Sequence, residues 1–130
     1  MSKSYGNTIP LFIPEDQLKK LVRSILTDST PVAAPKDPES SSVFLLLEHF
    51  GAADVVEETR RQLGVGGLGW GEVKNRLFDV LADLVAPMRE RYDALLQTGS
   101  ELDDILATGA ERARKRAAAV LDQVRRAVGV

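Results

Sequence analysis

The densest chemistry in the sequence sits near its end. Over residues 109–128 lie Arg112, Arg114, Lys115, Arg116, Arg125 and Arg126, against only Glu111 and Asp122. Six cations and two anions leave a local charge of +4 in a chain whose net charge is −2. Such a cluster binds phosphates, and so RNA, through charge neutralisation and counterion release. The plainer reading is a solvated helix face whose last cations suit the negative end of the helix dipole. At the other end Lys3 lies between Ser2 and Ser4, which reads either as an ordinary polar start or as the inside of a phosphate-handling motif.

Other candidates carry less chemistry. Gly64, Gly66 and Gly69 match a G-x-G-x-x-G string. A dinucleotide loop, however, needs a strand before it and a helix after it. Here a helical pattern precedes the glycines, so they read as a helix–helix loop with unusual backbone angles. His49 is the single His, at the end of an apolar helix, and suits a structural or helix-terminal role. Trp70 is the single Trp and is expected to plug the glycine loop onto the core. No carboxylates stand as a diagnostic pair. The chain has no Cys, which rules out disulfides and thiolate metal sites.

These groups must be held by helices. Leu18, Leu21, Val22, Ile25 and Leu26 form one helical stripe, behind Pro14 at a first helical position, which predicts a helix over about 14–27. A connection over 28–42 carries three prolines. Ser40 or Ser41 then caps a short helix ending at Gly51, and a third helix spans about 52–63, with Val55, Val56 and Leu63 inward. A long helix begins near Glu72 and carries Val73, Leu77, Leu81, Leu84, Val85, Met88, Tyr92 and Leu95 on one side. Pro87 interrupts its hydrogen-bond ladder. Ser100 caps a short helix over 101–107, and Thr108 with Glu111 forms a capping box for a last helix over about 109–128. No stretch alternates with a period of two. Hydrophobic residues are 44% of the chain and aromatics only 5%, so the core is aliphatic. The expected fold is therefore all-α, a bundle of five to six helices, with residues 1–13 as an extended loop and 14–130 as one helical domain. The longest apolar run, Val43 to Leu47, is too short to span a membrane.

Four stretches together resemble a known family. "MSKSYGN" resembles the Lys-Met-Ser-Lys-Ser signature of class I aminoacyl-tRNA synthetases, with the leading Lys absent. "LKKLVRSILTDST" resembles the helix that follows this loop in tryptophanyl-tRNA synthetases, including Thr27, Asp28 and Ser29. "GWGEVKNRLFDVLADLVAPMRERYDAL" is similar to that family's long helix, with Pro87, Glu90, Arg91 and Tyr92 in its Pro-x-x-Glu-Arg-Tyr-like stretch. "LDDILATGAERARKRAAAVLDQVRRAVG" resembles its C-terminal end. The order is the family's order, and the resemblance covers nearly all of the chain.

The resemblance implies the C-terminal part of such an enzyme, beginning within the signature. The family ligates tryptophan to its tRNA through an adenylate, using ATP with Mg, and its members are cytoplasmic homodimers. Lys3 matches the signature's second Lys, which stabilises charge on the pyrophosphate during activation. Ser2 and Ser4 match its serines and would contact the ATP phosphates together with Lys3. The helical remainder matches the part that contacts the tRNA anticodon region, which favours the RNA reading of the last helix. The ATP- and tryptophan-binding Rossmann half lies outside these residues. The chain alone is therefore expected not to catalyse and to hold no cofactor by itself. A metal site and DNA or membrane partners are not expected. The expected partners are tRNA, the missing catalytic domain or a synthetase, and a second copy in a homo-oligomer. The alternative is a free-standing, non-catalytic paralogue that binds tRNA or a synthetase.

Overall fold

In the computed structural model, residues 8–129 are described. They form five α-helices and one short 3-10 turn, with no strand among the described residues. The expected all-α class is observed. The chain divides into two compact units, residues 1–89 and 90–130.

The first unit holds the hydrophobic core. Helix α1 (Glu15–Ser24) starts behind Pro14, with Glu15 and Asp16 in its positively polarised first turn. It buries Leu18 and Val22. The predicted extension to residue 27 does not form. The backbone leaves the helix at Ile25 (φ −58°, ψ 127°), and Leu26 is left 91% exposed. The cause is local: the Asp28 carboxylate accepts from the Thr30 N–H at 2.7 Å, a turn that competes with the helix ladder.

The connection is not wholly irregular. Pro38–Ser40 form a 3-10 turn in which the Glu39 N–H donates to the Asp37 carboxylate at 3.1 Å. Helix α2 (Ser42–Phe50) follows, and its Val43, Phe44 and Leu47 are buried. Ser41 precedes it as predicted, but its buried hydroxyl makes no cap bond. Gly51 ends the helix. Its φ is ordinary, and what it needs is space: an added Cβ would lie 2.7 Å from the Leu47 carbonyl oxygen.

Helix α3 (Ala53–Val65) buries Val56, Thr59 and Leu63. Its Arg60 lies over the Phe44 ring at 4.8 Å and ion-pairs with both Glu39 and Glu48. One guanidinium thus ties the 3-10 turn, α2 and α3 together. Helix α4 (Trp70–Gln97) begins two residues earlier than expected and continues through Pro87. Trp70, Val73, Leu77 and Leu81 enter the core, whereas Leu84, Met88 and Tyr92 of the predicted stripe are 43%, 48% and 41% exposed. The core is thus aliphatic apart from Phe44 and Trp70.

In the second unit the predicted two helices are one. Helix α5 (Gly99–Val128) runs unbroken through Thr108 and Gly109. A capping box stops a chain only if helical φ/ψ is abandoned there. Gly109 costs about 1 kcal/mol relative to Ala inside a helix, while the flanking Ala, Leu, Glu and Arg residues favour continuation. The helix ends at Gly129, which adopts φ 79°. It buries no residue.

Leu77 is fully buried in the core. Its replacement by Ala is expected to lower the unfolding free energy by about 2–5 kcal/mol in urea titrations. Leu26→Ala, on the solvent side of the turn, should change it by less than about 0.5 kcal/mol.

Candidate functional site

Two features could serve function: the joint that leads out of the N-terminal segment, and the cationic face of α5. The first begins at residues whose structure is described. Ser2, Lys3 and Ser4, matched to the phosphate-handling signature, lie outside the described residues. The segment after them is anchored. Ile9 and Ile13 pack on the core, and Arg89 of α4 donates to the Ile13 carbonyl at 3.4 Å and approaches the Glu15 carboxylate at 4.0 Å.

The 28–42 connection is clasped to the glycine loop. Gly67 N–H donates to the Val32 carbonyl at 2.8 Å, and Lys36 N–H donates to Leu63 at 2.8 Å. The Lys36 side chain is buried. Its ammonium donates to the carbonyls of Pro31, Val32 and Ala34 at 2.8, 3.2 and 3.1 Å. Three carbonyl dipoles thereby replace its lost hydration. Gly66 has φ 94°, and an added Cβ would sit 2.5 Å from the Ala33 oxygen. The unusual angles expected of the glycine loop are therefore present at Gly66 and Gly67. Trp70 is 6% exposed, and its indole N–H donates to Asp28 Oδ1 at 3.1 Å. This is the expected plug, held by a carboxylate. Hydrogen bonds from Thr30, then from Trp70, hold the Asp28 carboxyl below its ordinary value.

His49 lies in the last turn of α2, exposed, with its ring edge-on to Phe50. Its surroundings are those of a helix-terminal residue. No group of three or more His, Asp or Glu among the described residues could hold a metal ion.

The six predicted RNA-binding residues all lie on α5 and are exposed. A helix rotates about 100° per residue. Arg112, Lys115, Arg116 and Arg126 therefore share one sector about 100° wide. Arg114 and Arg125 stand on a different side. Glu111 and Asp122 lie between the two groups, and Lys115 pairs with Glu111 at 3.3 Å. Thus four of the six cations converge and two do not. Lys36 and Arg89 were not singled out from the sequence. A lone Lys within a proline-rich connection is the available signal for Lys36, and none marks Arg89.

Comparison with known proteins fits this architecture. No family model matches the chain. The tryptophan–tRNA ligase of Pseudomonas aeruginosa is 47% identical over 130 residues, which are the whole of this chain and 29% of that protein. That of Rhodopirellula baltica is 40% identical over the whole chain and 41% of its own length. The crystal structure of tryptophanyl-tRNA synthetase from Campylobacter jejuni superposes with a TM-score of 0.93 at 37% identity, covering all of this chain and 42% of that one. A second structure of that enzyme holds ADP and tryptophan. The chain is thus a relative of the aminoacyl-tRNA synthetases. Within that class, tryptophan–tRNA ligases match the whole of this chain with the C-terminal part of their own length. It spans less than half the length of these relatives.

The Asp28–Trp70 latch makes a pH prediction. A carboxyl with a depressed folded-state pKa adds stability above its unfolded value of about 3.8, and that stability is lost as pH falls through the lower folded value. Asp28→Asn should therefore lower thermal stability at neutral pH and flatten the fall of the melting temperature below about pH 4. An unchanged acid limb would exclude the latch.

Proposed function

We propose that this chain is the tRNA-contacting C-terminal portion of a tryptophan–tRNA ligase and does not activate tryptophan by itself. Its likeness to those ligases over its full length supports the first part. The observation that carries the RNA contact is the sector of Arg112, Lys115, Arg116 and Arg126 on the exposed face of α5. Four cations over about 20 Å of helix match the spacing of backbone phosphates well enough to bind several at once. Arg forks add bidentate phosphate contacts.

The N-terminal residues fit the same reading. Ser2, Lys3 and Ser4 act on the phosphates of Mg-bound ATP only when a nucleotide-binding domain presents them. Lys3 there offsets charge developing on the pyrophosphate. Arg89 and the core contacts of Ile9 and Ile13 fix the base from which that segment leaves.

Two measurements test the proposal. The chain should bind tRNA with an affinity that falls steeply with salt, and the double variant Arg112→Glu with Arg116→Glu should lower that affinity at least about a hundredfold. Equal binding by the variant would remove α5 from the interface. Pyrophosphate exchange should show no tryptophan-dependent turnover by the isolated chain. Turnover would overturn the assignment of a non-catalytic portion.

A further inference from the structure

Helix α5 carries a shallow concavity of about 420 Å³, lined by Glu101, Asp104, Ile105, Thr108, Gly109 and Arg112. All six residues belong to this one helix. Spacings of three and four set them on one side of it. That side is the cationic one. Glu101, Ile105 and Thr108 fall within the sector of Arg112, Lys115, Arg116 and Arg126, and Asp104 and Gly109 stand about 20° beyond its two edges. The face therefore changes character along its length. Cations occupy it from Arg112 onward, while its first two turns hold carboxylates, an apolar side chain, a hydroxyl and a glycine.

This change constrains an RNA strand lying on the face. Carboxylates repel phosphates, so a backbone held by the arginines cannot run on over residues 101–108. What a carboxylate accepts is an N–H, and in RNA the N–H groups lie only on the bases. Glu101 is already engaged, accepting from Arg91 at 2.9 Å. Asp104 and Thr108, one turn apart, are exposed. Together they offer an acceptor beside a hydroxyl.

The floor of the notch suits a ring. Ile105 is 53% exposed. An added Cβ at Gly109 would meet nothing within 4 Å, so the backbone there is open to a flat group. Arg112 closes the end with a guanidinium, which stacks on bases as well as pairing with phosphates. Sequence-specific recognition of single-stranded RNA takes this form, with a base unstacked, its face covered and its edge hydrogen-bonded.

We propose that this notch receives one unstacked base of the bound RNA, and that Asp104 and Thr108 read its edge. The proposal rests on the reading of α5 as the tRNA contact. Asp104 accepts from an exocyclic amino group, and the Thr108 hydroxyl donates to the ring nitrogen beside it. Cytosine presents that order of donor and acceptor, and adenine presents it on a larger ring. Uracil, with the ring size of cytosine, presents the reverse and sets a carbonyl oxygen against the carboxylate. The site therefore selects an amino-bearing base and rejects uracil.

The test compares short labelled oligo(C) and oligo(U) on the whole chain, by fluorescence anisotropy at a series of salt concentrations. Oligo(C) should bind about tenfold more tightly. Asp104→Asn, whose amide can turn its N–H groups toward a carbonyl, should remove that preference or reverse it. The slope of affinity against salt should stay unchanged, since no phosphate contact is lost. Gly109→Leu fills the notch and favours the helix, and should bring the two affinities within about twofold of each other. Arg112→Glu with Arg116→Glu should weaken both oligomers. Circular dichroism should show each variant as helical as the parent. Equal binding of the two oligomers by the parent chain, or a preference for oligo(U), would overturn the base site and leave the cationic contact standing. So would a preference for oligo(C) that survives Asp104→Asn. Binding of neither oligomer would overturn both.

Discussion

The structure depends on one buried ammonium. Lys36 points its charge into three carbonyls of its own connection, and its N–H is bound to the last turns of α3. Burial of a Lys is unfavourable unless its donors are met, and here all three are. The result is a proline-rich loop that behaves as a rigid insert. The loop can press so close to the glycine segment only because Gly66 has no side chain and accepts a positive φ. From that contact the geometry of α4 follows. Trp70 is seated at the first residue of α4, and Asp28 fixes its indole.

The same constraint explains where α1 stops. For Asp28 to reach Trp70 the chain must leave the helix early, which turns Leu26 to solvent. It also explains the division of labour between α4 and α5. The first part of α4 is paid into the core of the first unit through Val73, Leu77 and Leu81. Helix α5 has no fully buried residue, and its Arg and Lys side chains are exposed. A helix of this kind draws its stability from propensity, from ion pairs such as Lys115–Glu111, and from what it binds.

Much of this was legible from residue order. Periodicity of Leu, Val and Ile marked α1, α2, α3 and α4, because buried faces must repeat every three or four residues. The signature-like start, Thr-Asp-Ser and the Pro87–Tyr92 stretch pointed to the family before the comparisons did. The misses have physical causes. Thr108 and Glu111 form a good cap pattern, yet nothing breaks the helix before them, so cap chemistry lost to propensity. The stripe on α4 runs on past Leu81 to the exposed Leu84 and Met88, because a period shows which face is apolar and not what covers it. The clasp was invisible because its partners are backbone atoms distant in sequence. A lysine's type does not reveal that its ammonium is turned inward. Convergence of four α5 cations needs only a helix over 109–128, which the sequence already indicates, because all four lie beyond Thr108.

Hydrogen exchange tests the clasp most directly. The amides of Lys36 and Gly67 lie in loops but are bonded to Leu63 and Val32. They should exchange as slowly as the core amides of Leu47 and Leu77, and Lys36→Met should release both while α2 and α4 stay protected. Exchange of these two amides at the rate of an open loop in the parent chain would contradict the account.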